Sequence, residues 1–287
     1  MSIKKVGVVG AGMMGAEIAL CFARKGYDTI LSDITLELAN KGKKRQETIL
    51  EKLVVKGKLE DEEKIAILNR VMTTGDMHDM TDCDFIIEAV AEKIEIKQSV
   101  FQQLDSICKK ETILASNTSS ISITKLSSVL PESRSQQFMG THFNSPASVM
   151  KLVEVIPSLT TKEEYVQEII DLLVDIGKEP VRVKDVVGFG LNRMFHAFCV
   201  EACRLVEEGV CTPDDVDKIC LYGLGHPVGI FKLMDLLDLR LCDQVEQILF
   251  DAYGERFRPN AYLKRCIDAG HYGKKVGIGF HDYRSEK

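Results

Sequence analysis

Gly10, Gly12 and Gly15 stand in the spacing G-x-G-x-x-G, with Met13 and Met14 ahead of the last glycine. Such a loop is suited to holding a phosphate-bearing ligand against backbone N–H groups at a helix start, where the helix dipole favours negative charge. The context fits, because an apolar run at 6–9 precedes the loop and a helical stretch at 13–25 follows it. Gly10 permits the tight turn, Gly12 lets the backbone approach a pyrophosphate, and Gly15 allows helix to pack closely on strand. Asp33 closes a second apolar run, 18 residues beyond Gly15. A carboxylate there can accept both ribose hydroxyls of NAD and would repel the extra phosphate of NADP. No arginine follows at Ile34 or Thr35 to hold that phosphate. Asp33 can also serve as the N-cap of the next helix.

The elements that must position these residues are legible in outline. Strand-like runs fall at 6–9, 29–32, 84–88, 112–115, 137–141, 151–155 and 180–183, with helical stretches between them, notably 13–25 and 94–108. Alternation of this kind predicts a Rossmann-type doubly wound α/β sheet over residues 1–185. The segment 35–70 is too long for one crossover helix and breaks at Gly57-Lys58, which predicts a helical-hairpin insertion standing out from the sheet. Beyond Asp185 the stretches 188–208, 213–222, 231–253 and 261–269 carry helical spacing without strands. An all-α C-terminal domain over 186–287 is expected. The apolar faces of its helices need a partner surface, so a homodimer through this domain is expected as well.

Length and composition narrow the function. The 287 residues suit two ordinary domains, and 45% apolar content is enough for a core. No apolar run approaches a membrane span, and the N-terminus runs straight into a strand pattern without the features of a signal peptide. A net charge of −6 argues against a nucleic-acid partner. Nine cysteines without any C-x-x-C pair fit a reducing compartment, and a cytoplasmic location is expected. Cys199 and Cys203 are one helical turn apart, as metal ligands can be, but no third ligand is evident and no metal is expected; His196 has no partner that spacing identifies. One segment runs against the overall charge: 41–58 carries Lys41, Lys43, Lys44, Arg45, Lys52, Lys56 and Lys58 against Glu47 and Glu51.

Six further segments are specific. They are EAVAEKIEIKQSVF (88–101), ASNTSSISIT (115–124), GTHF (140–143), MKLVEVI (150–156), GFGLNRM (188–194) and GKKVGIGFHDY (273–283). Together with the glycine loop they span nearly the whole chain, and through them it resembles the 3-hydroxyacyl-CoA dehydrogenase family. The resemblance implies an NAD-dependent oxidoreductase acting on an acyl-CoA thioester, a short one such as 3-hydroxybutyryl-CoA. It assigns His142 as the acid/base and Glu154, twelve residues on, as its orienting carboxylate. An imidazole suits proton transfer near neutral pH, and a carboxylate fixes its tautomer. Ser119 and Asn192 take the places of the two polar groups near the reacting oxygen, the second from the C-terminal domain, and Ser119 also borders cofactor and substrate. Glu92, Lys97 and Lys275 match cofactor-side positions. The ordinary alternative for Glu92 and Lys97 is an exposed ion pair worth at most about 1 kcal/mol. Lys56 matches a coenzyme A contact, with Lys52 one turn before it, although spacing does not single out these two from the seven basic residues.

The chain also departs from the family. The usual H-F-F-N-P-x-P reads His142-Phe143-Asn144-Ser145-Pro146-Ala147-Ser148, so Ser145 stands where an asparagine meets the nicotinamide. D-x-x-G-L-D reads Asp235-Leu236-Leu237-Asp238-Leu239-Arg240. Two other functions keep the same fold: a dehydrogenase of a free hydroxy acid, and a binding protein without turnover. The basic segment argues against the first, and the set Ser119, His142, Glu154 and Asn192 against the second.

Overall fold

Short runs of β-branched and aliphatic residues form one sheet in the computed structural model, which describes residues 3–286. β1 (Lys5–Val9) leads through the glycine loop to α1 (Met13–Lys25), and β2 (Asp28–Ser32) to α2 (Leu36–Val55) and α3 (Asp61–Asn69). β3 (Val71–Thr74), β4 (Phe85–Glu88), α4 (Ile94–Ile107) and β5 (Ile113–Ser116) follow. Two short helices, α5 (Ile123–Ser127) and α6 (Glu132–Ser135), precede β6 (Phe138–Phe143), β7 (Leu152–Pro157), α7 (Glu163–Asp175) and β8 (Glu179–Arg182). The strand order is β3-β2-β1-β4-β5-β6-β7-β8. Pairing is parallel from β3 through to β6, the doubly wound arrangement, and then β7 runs antiparallel to β6.

Central strands are covered on both faces, which is why they read as continuous apolar runs. Val6, Val8, Phe85 and Ile87 pack with Ile18 and Phe22 of α1 on one face. Ile86 and Leu114 point the other way, toward Phe101, Leu104 and Phe138. β3 was not expected. It has only four residues at a sheet edge, Met72 is half exposed, and no turn residue marks its start after α3.

The 35–70 segment does form two helices, but α2 does not simply stand out from the sheet. Ala39, Gly42, Gln46 and Leu50 make a buried stripe at helical spacing, and Gln46 Nε2 donates to the Ala16 carbonyl of α1 at 2.8 Å. An added Cβ on Gly42 would lie 2.7 Å from the Ala11 carbonyl oxygen, so α2 packs directly against the glycine loop.

The chain divides into two compact units, the second beginning at Gly190. Its helices are α8 (Leu191–Glu207), α9 (Pro213–Lys218, continued by one wider turn), α10 (Ile230–Leu237), α11 (Leu239–Tyr253) and α12 (Ala261–Asp268). The stretch expected as one helix over 231–253 is two, broken at Asp238, which adopts φ +108. Two buried carboxylates organise the C-terminal segment. Asp235 accepts from Phe280 N, His281 N and Tyr283 Oη at 2.8–3.0 Å, and Asp217 accepts from Phe231 N and His281 Nε2. Gly273 and Gly279 fit this arrangement because a Cβ on either would lie 2.3 Å or less from an oxygen of Asp235.

The hydrogen bond to Asp217, with the charges of Asp217, Asp235 and Asp214, raises the His281 imidazole above 6.5 despite its partial burial. A raised value means that its contribution to stability is complete below the ordinary imidazole range and is lost as pH rises through the folded value. Stability of the full chain should therefore fall, as pH rises above the ordinary imidazole range, more steeply in wild type than in His281→Gln, read from urea midpoints. Parallel pH profiles would show that the bond is not proton-linked.

Candidate active site

The glycine loop is held by close backbone approaches. Gly10 has φ +98, and a Cβ there would lie 2.6 Å from the Ala89 carbonyl oxygen. A Cβ on Gly15 would fall 1.8 Å from the Gly10 oxygen, whereas one on Gly12 would meet nothing within 4 Å, so that face is open to a ligand. Met13 is half exposed and Met14 packs against the core. Asp33 Oδ2 accepts from Ala11 N at 2.7 Å, and Oδ1 accepts from Ile34 N at 2.7 Å. The N-cap alternative for Asp33 is incorrect. Thr35 caps α2, its side chain accepting from Leu38 N. A cavity of about 790 Å³ opens beside the loop, lined by Gly10, Gly12, Asp33, Ala89, Ile96 and Val100 among others. Largely apolar walls, with the carboxylates of Asp33 and Glu95 among the lining groups, suit a flat heteroaromatic base and its ribose.

At the C-terminal ends of β4 and β5 lies a charged cluster. Lys97 is 1% exposed and its Nζ donates to Glu88 Oε1 at 2.7 Å, with Glu92 Oε2 at 3.1 Å. The exposed-pair alternative is thus overturned by burial. Glu88, fully buried, also accepts from Ser116 Oγ and Val90 N. Burial pushes its carboxyl up, partly offset by Lys97 and these hydrogen bonds. For Glu92 burial also pushes upward, but Lys97 and the donors of Thr118 and Ser119 outweigh it and hold the carboxyl below its usual range. Glu92 Oε1 accepts from Thr118 Oγ1, from Ser119 N at 2.9 Å and from Ser120 N at 3.1 Å. The loop carrying Ser119 is therefore built around one carboxylate. Glu88 was not identified from sequence, because FIIE reads simply as a strand.

His142 and Glu154 are brought together by the sheet. In the antiparallel β6–β7 register they are direct cross-strand neighbours. His142 Nδ1 lies 2.8 Å from Glu154 Oε2, with both side chains buried, and the Phe189 ring packs 5.9 Å from the imidazole. Asn117, two residues before Ser119 and also missed by sequence reasoning, accepts from Phe143 N at 2.9 Å, tying the Ser119 loop to the strand end that carries His142. Asn144 Nδ2 donates to the Leu152 carbonyl within the turn, and Ser145 is exposed.

The basic segment separates into two groups. Lys41 pairs with Glu37, Lys43 Nζ donates to the Val71 carbonyl, and Arg45 pairs with Glu17. Lys44, Lys52, Lys56 and Lys58 are exposed, with Lys52 in the last turn of α2 and Lys56 at its C-cap. In the second unit, Asn192 is the second residue of α8, and Lys275 lies in an exposed turn after Gly273.

A doubly wound sheet with this loop, an acid at the end of β2 and a buried histidine–carboxylate pair defines an NAD-dependent dehydrogenase. Comparison with known proteins gives the family. Residues 5–186 match the 3-hydroxyacyl-CoA dehydrogenase NAD binding domain, and residues 188–283 match the C-terminal domain of the same family. A protein of Deinococcus radiodurans named "Probable 3-hydroxybutyryl-CoA dehydrogenase" is 39% identical over 97% of this chain and 100% of its own. One of the same name from Bacillus subtilis is 38% identical over 100% of this chain and 99% of its own. The crystal structure of (S)-3-hydroxybutyryl-CoA dehydrogenase from Ralstonia eutropha superposes with a TM-score of 0.93 at 34% identity, covering 98% of this chain and 99% of that one. The chain belongs to the 3-hydroxyacyl-CoA dehydrogenase family.

Removing Lys97 would leave the Glu88 carboxylate buried without a counter-charge. Lys97→Met should lose about 3–5 kcal/mol of unfolding free energy by urea denaturation. A loss below about 1 kcal/mol would mean that the cluster behaves as a surface pair.

Proposed function

We propose that the chain interconverts (S)-3-hydroxyacyl-CoA and 3-oxoacyl-CoA thioesters, with 3-hydroxybutyryl-CoA as its substrate. The observation that carries this reading is the buried His142–Glu154 pair at 2.8 Å, on a chain whose relatives are named for this reaction. Because Glu154 engages Nδ1, the base is Nε2, which takes the hydroxyl proton during oxidation and returns it during reduction. Glu154 fixes the tautomer and stabilises the imidazolium as it forms. NAD, when bound, accepts the hydride.

Ser119 donates to the reacting oxygen as charge develops there. Glu92 and Lys97 act as positioning residues, since Glu92 holds the loop that presents Ser119 and Lys97 holds Glu92. Gly10, Gly12 and Gly15, with Met13 and Met14, cradle the pyrophosphate at the start of α1, and Asp33 accepts from the ribose. Ser145 substitutes a shorter hydroxyl for the amide the family places beside the nicotinamide. Lys52 and Lys56 attract the phosphates of coenzyme A, being exposed cations without an internal partner among the described residues. The roles of Asn192 and Lys275 rest on the family resemblance alone.

A homodimer through the second unit and a cytoplasmic location complete the reading. Tyr222, Leu224 and Leu236 are exposed there at 85%, 57% and 59%, large apolar side chains of the kind that subunits cover. The nine cysteines are all free, and no helix among the described residues is long and apolar enough to cross a membrane.

Oxidation of NADH should proceed with acetoacetyl-CoA and fail with free acetoacetate; equal turnover of the free acid would replace the thioester reading with a hydroxy-acid one. In the same assay His142→Ala should lower kcat on the order of 10²–10⁴-fold while NADH binding stays close to wild type. Normal turnover would remove His142 from the mechanism. Lys56→Glu should raise KM for acetoacetyl-CoA severalfold at unchanged kcat, with the difference shrinking at high salt; an unchanged KM would sink the phosphate contact.

A further inference from the structure

The second unit buries a set of groups that its hydrophobic core does not explain. His196 and Cys199, three residues apart, share one face of α8, and Glu246 meets them from α11. Their exposures are 5%, 0% and 0%. An imidazole nitrogen, the thiol sulfur and a carboxylate oxygen all lie within 4.8 Å of one another. His196 Nδ1 and both oxygens of Glu246 are buried without a hydrogen-bond partner. Three unsatisfied polar atoms converging on one point in an apolar core call for something between them.

The distances point to what that is. His196 Nδ1 and Glu246 Oε1 are 3.6 Å apart, too far for a hydrogen bond. Nitrogen and oxygen ligands about 2.0–2.1 Å from a shared tetrahedral zinc ion sit roughly 3.3 Å from each other. The donor set is also the right kind, since an imidazole, a thiolate and a carboxylate are all established zinc ligands, and the thiolate disfavours calcium or magnesium. Charge balances too. A dication with one thiolate, one carboxylate and one neutral imidazole sums to zero, the only total an apolar interior tolerates at small cost.

We infer that His196, Cys199 and Glu246 form a structural zinc site that ties α8 to α11. Binding transfers the Cys199 thiol proton, and that of Glu246 where it is protonated, to solvent as the metal–sulfur and metal–oxygen bonds form. His196 coordinates through the Nδ1 lone pair with its ring proton on Nε2. Cys242, buried one turn before Glu246 and near enough for its charge to act on Cys199, stands beside the set, and as a neutral thiol it leaves the charge balance unchanged. Without metal, burial drives both acids toward their neutral forms, pushing the Cys199 thiol well up and raising Glu246 against the opposing influence of His196. The site is closed, all three side chains being buried.

The test uses the full chain, expressed or refolded with Co(II) in place of Zn(II) and then dialysed against a weak chelator. The expected result is one cobalt per chain, with intense tetrahedral d–d bands and a thiolate-to-cobalt charge-transfer band that Zn(II) abolishes by displacement. Glu246→Gln and Cys199→Ser should each weaken metal retention at least tenfold, with Cys199→Ser also diminishing the charge-transfer band. A Cys211→Ser control, on a half-buried cysteine outside the set, should retain both. Thermal unfolding of the metal-loaded chain should occur several degrees above that of the chelated chain. Wild-type protein that retains no cobalt overturns the site without recourse to any variant. So does a bound cobalt whose spectrum survives both ligand substitutions, because that metal is elsewhere.

Discussion

The reversal of strand direction between β6 and β7 is the constraint on which the rest of the first unit depends. Six strands run parallel, and a parallel neighbour of β6 would need a long crossover and a slanted hydrogen-bond register. A return through residues 144–151 places β7 antiparallel instead, so that residues pair directly across the ladder and His142 faces Glu154. The geometry of the pair is therefore a property of the sheet. Two flexible side chains on loops would lose rotamer freedom to reach the same contact, whereas a cross-strand pair begins about 5 Å apart. Because both partners are buried, any positive charge on the imidazole is compensated inside a medium of low dielectric, where the compensation counts most.

A second constraint acts at the open ends of β4 and β5. Burying Lys97 and Glu88 is costly, and such a pair does little for net stability compared with apolar packing. What it does here is to fix geometry. Lys97 joins Glu88 at the strand end to Glu92 on the following turn, and Glu92 gathers the backbone N–H groups of Ser119 and Ser120. The glycine loop is anchored separately, through Asp33 and Ala11. The glycine loop and the Ser119 loop are thus each held by a carboxylate that accepts from backbone N–H groups.

The parts of this design that were legible in the sequence are those whose cause is local. The glycine spacing, the apolar strands and the 35–70 helix pair all carry their reasons within a few residues. β3 did not, since four residues at an edge, buried only at the two ends, have no period to read. Nor did Glu88, because an acid closing the run FIIE gives no sign of burial until Lys97 is seen beside it. The break at Asp238 was hidden for a similar reason: apolar spacing continues across it, and only the backbone reverses. His196 and Glu246 are 50 residues apart on different helices, so a pattern showing Cys199 and Cys203 one turn apart offered no third ligand. Contacts set by tertiary packing leave single-residue traces that resemble ordinary core or surface positions.

Asp238 also bears on the departures from the family pattern. A φ of +108 is a conformation that L side chains rarely adopt and that costs about 1–3 kcal/mol. Glycine suits it, and D-x-x-G-L-D has glycine there. This chain replaces the glycine and the final acid together, and the two replacements answer each other. Asp238 accepts from the Arg240 backbone N at 3.0 Å, capping α11, and its carboxylate pairs with the Arg240 guanidinium at 2.6 Å. Arg240 in turn lies over the Tyr272 ring at 4.2 Å and holds the Asp238 carboxyl below its usual range. Either change alone would be unfavourable, an aspartate strained without a partner or an arginine facing an empty glycine. Made together they offset part of the backbone strain at the break between α10 and α11. The departure is thus a local exchange in which Asp238 and Arg240 answer each other within the second unit.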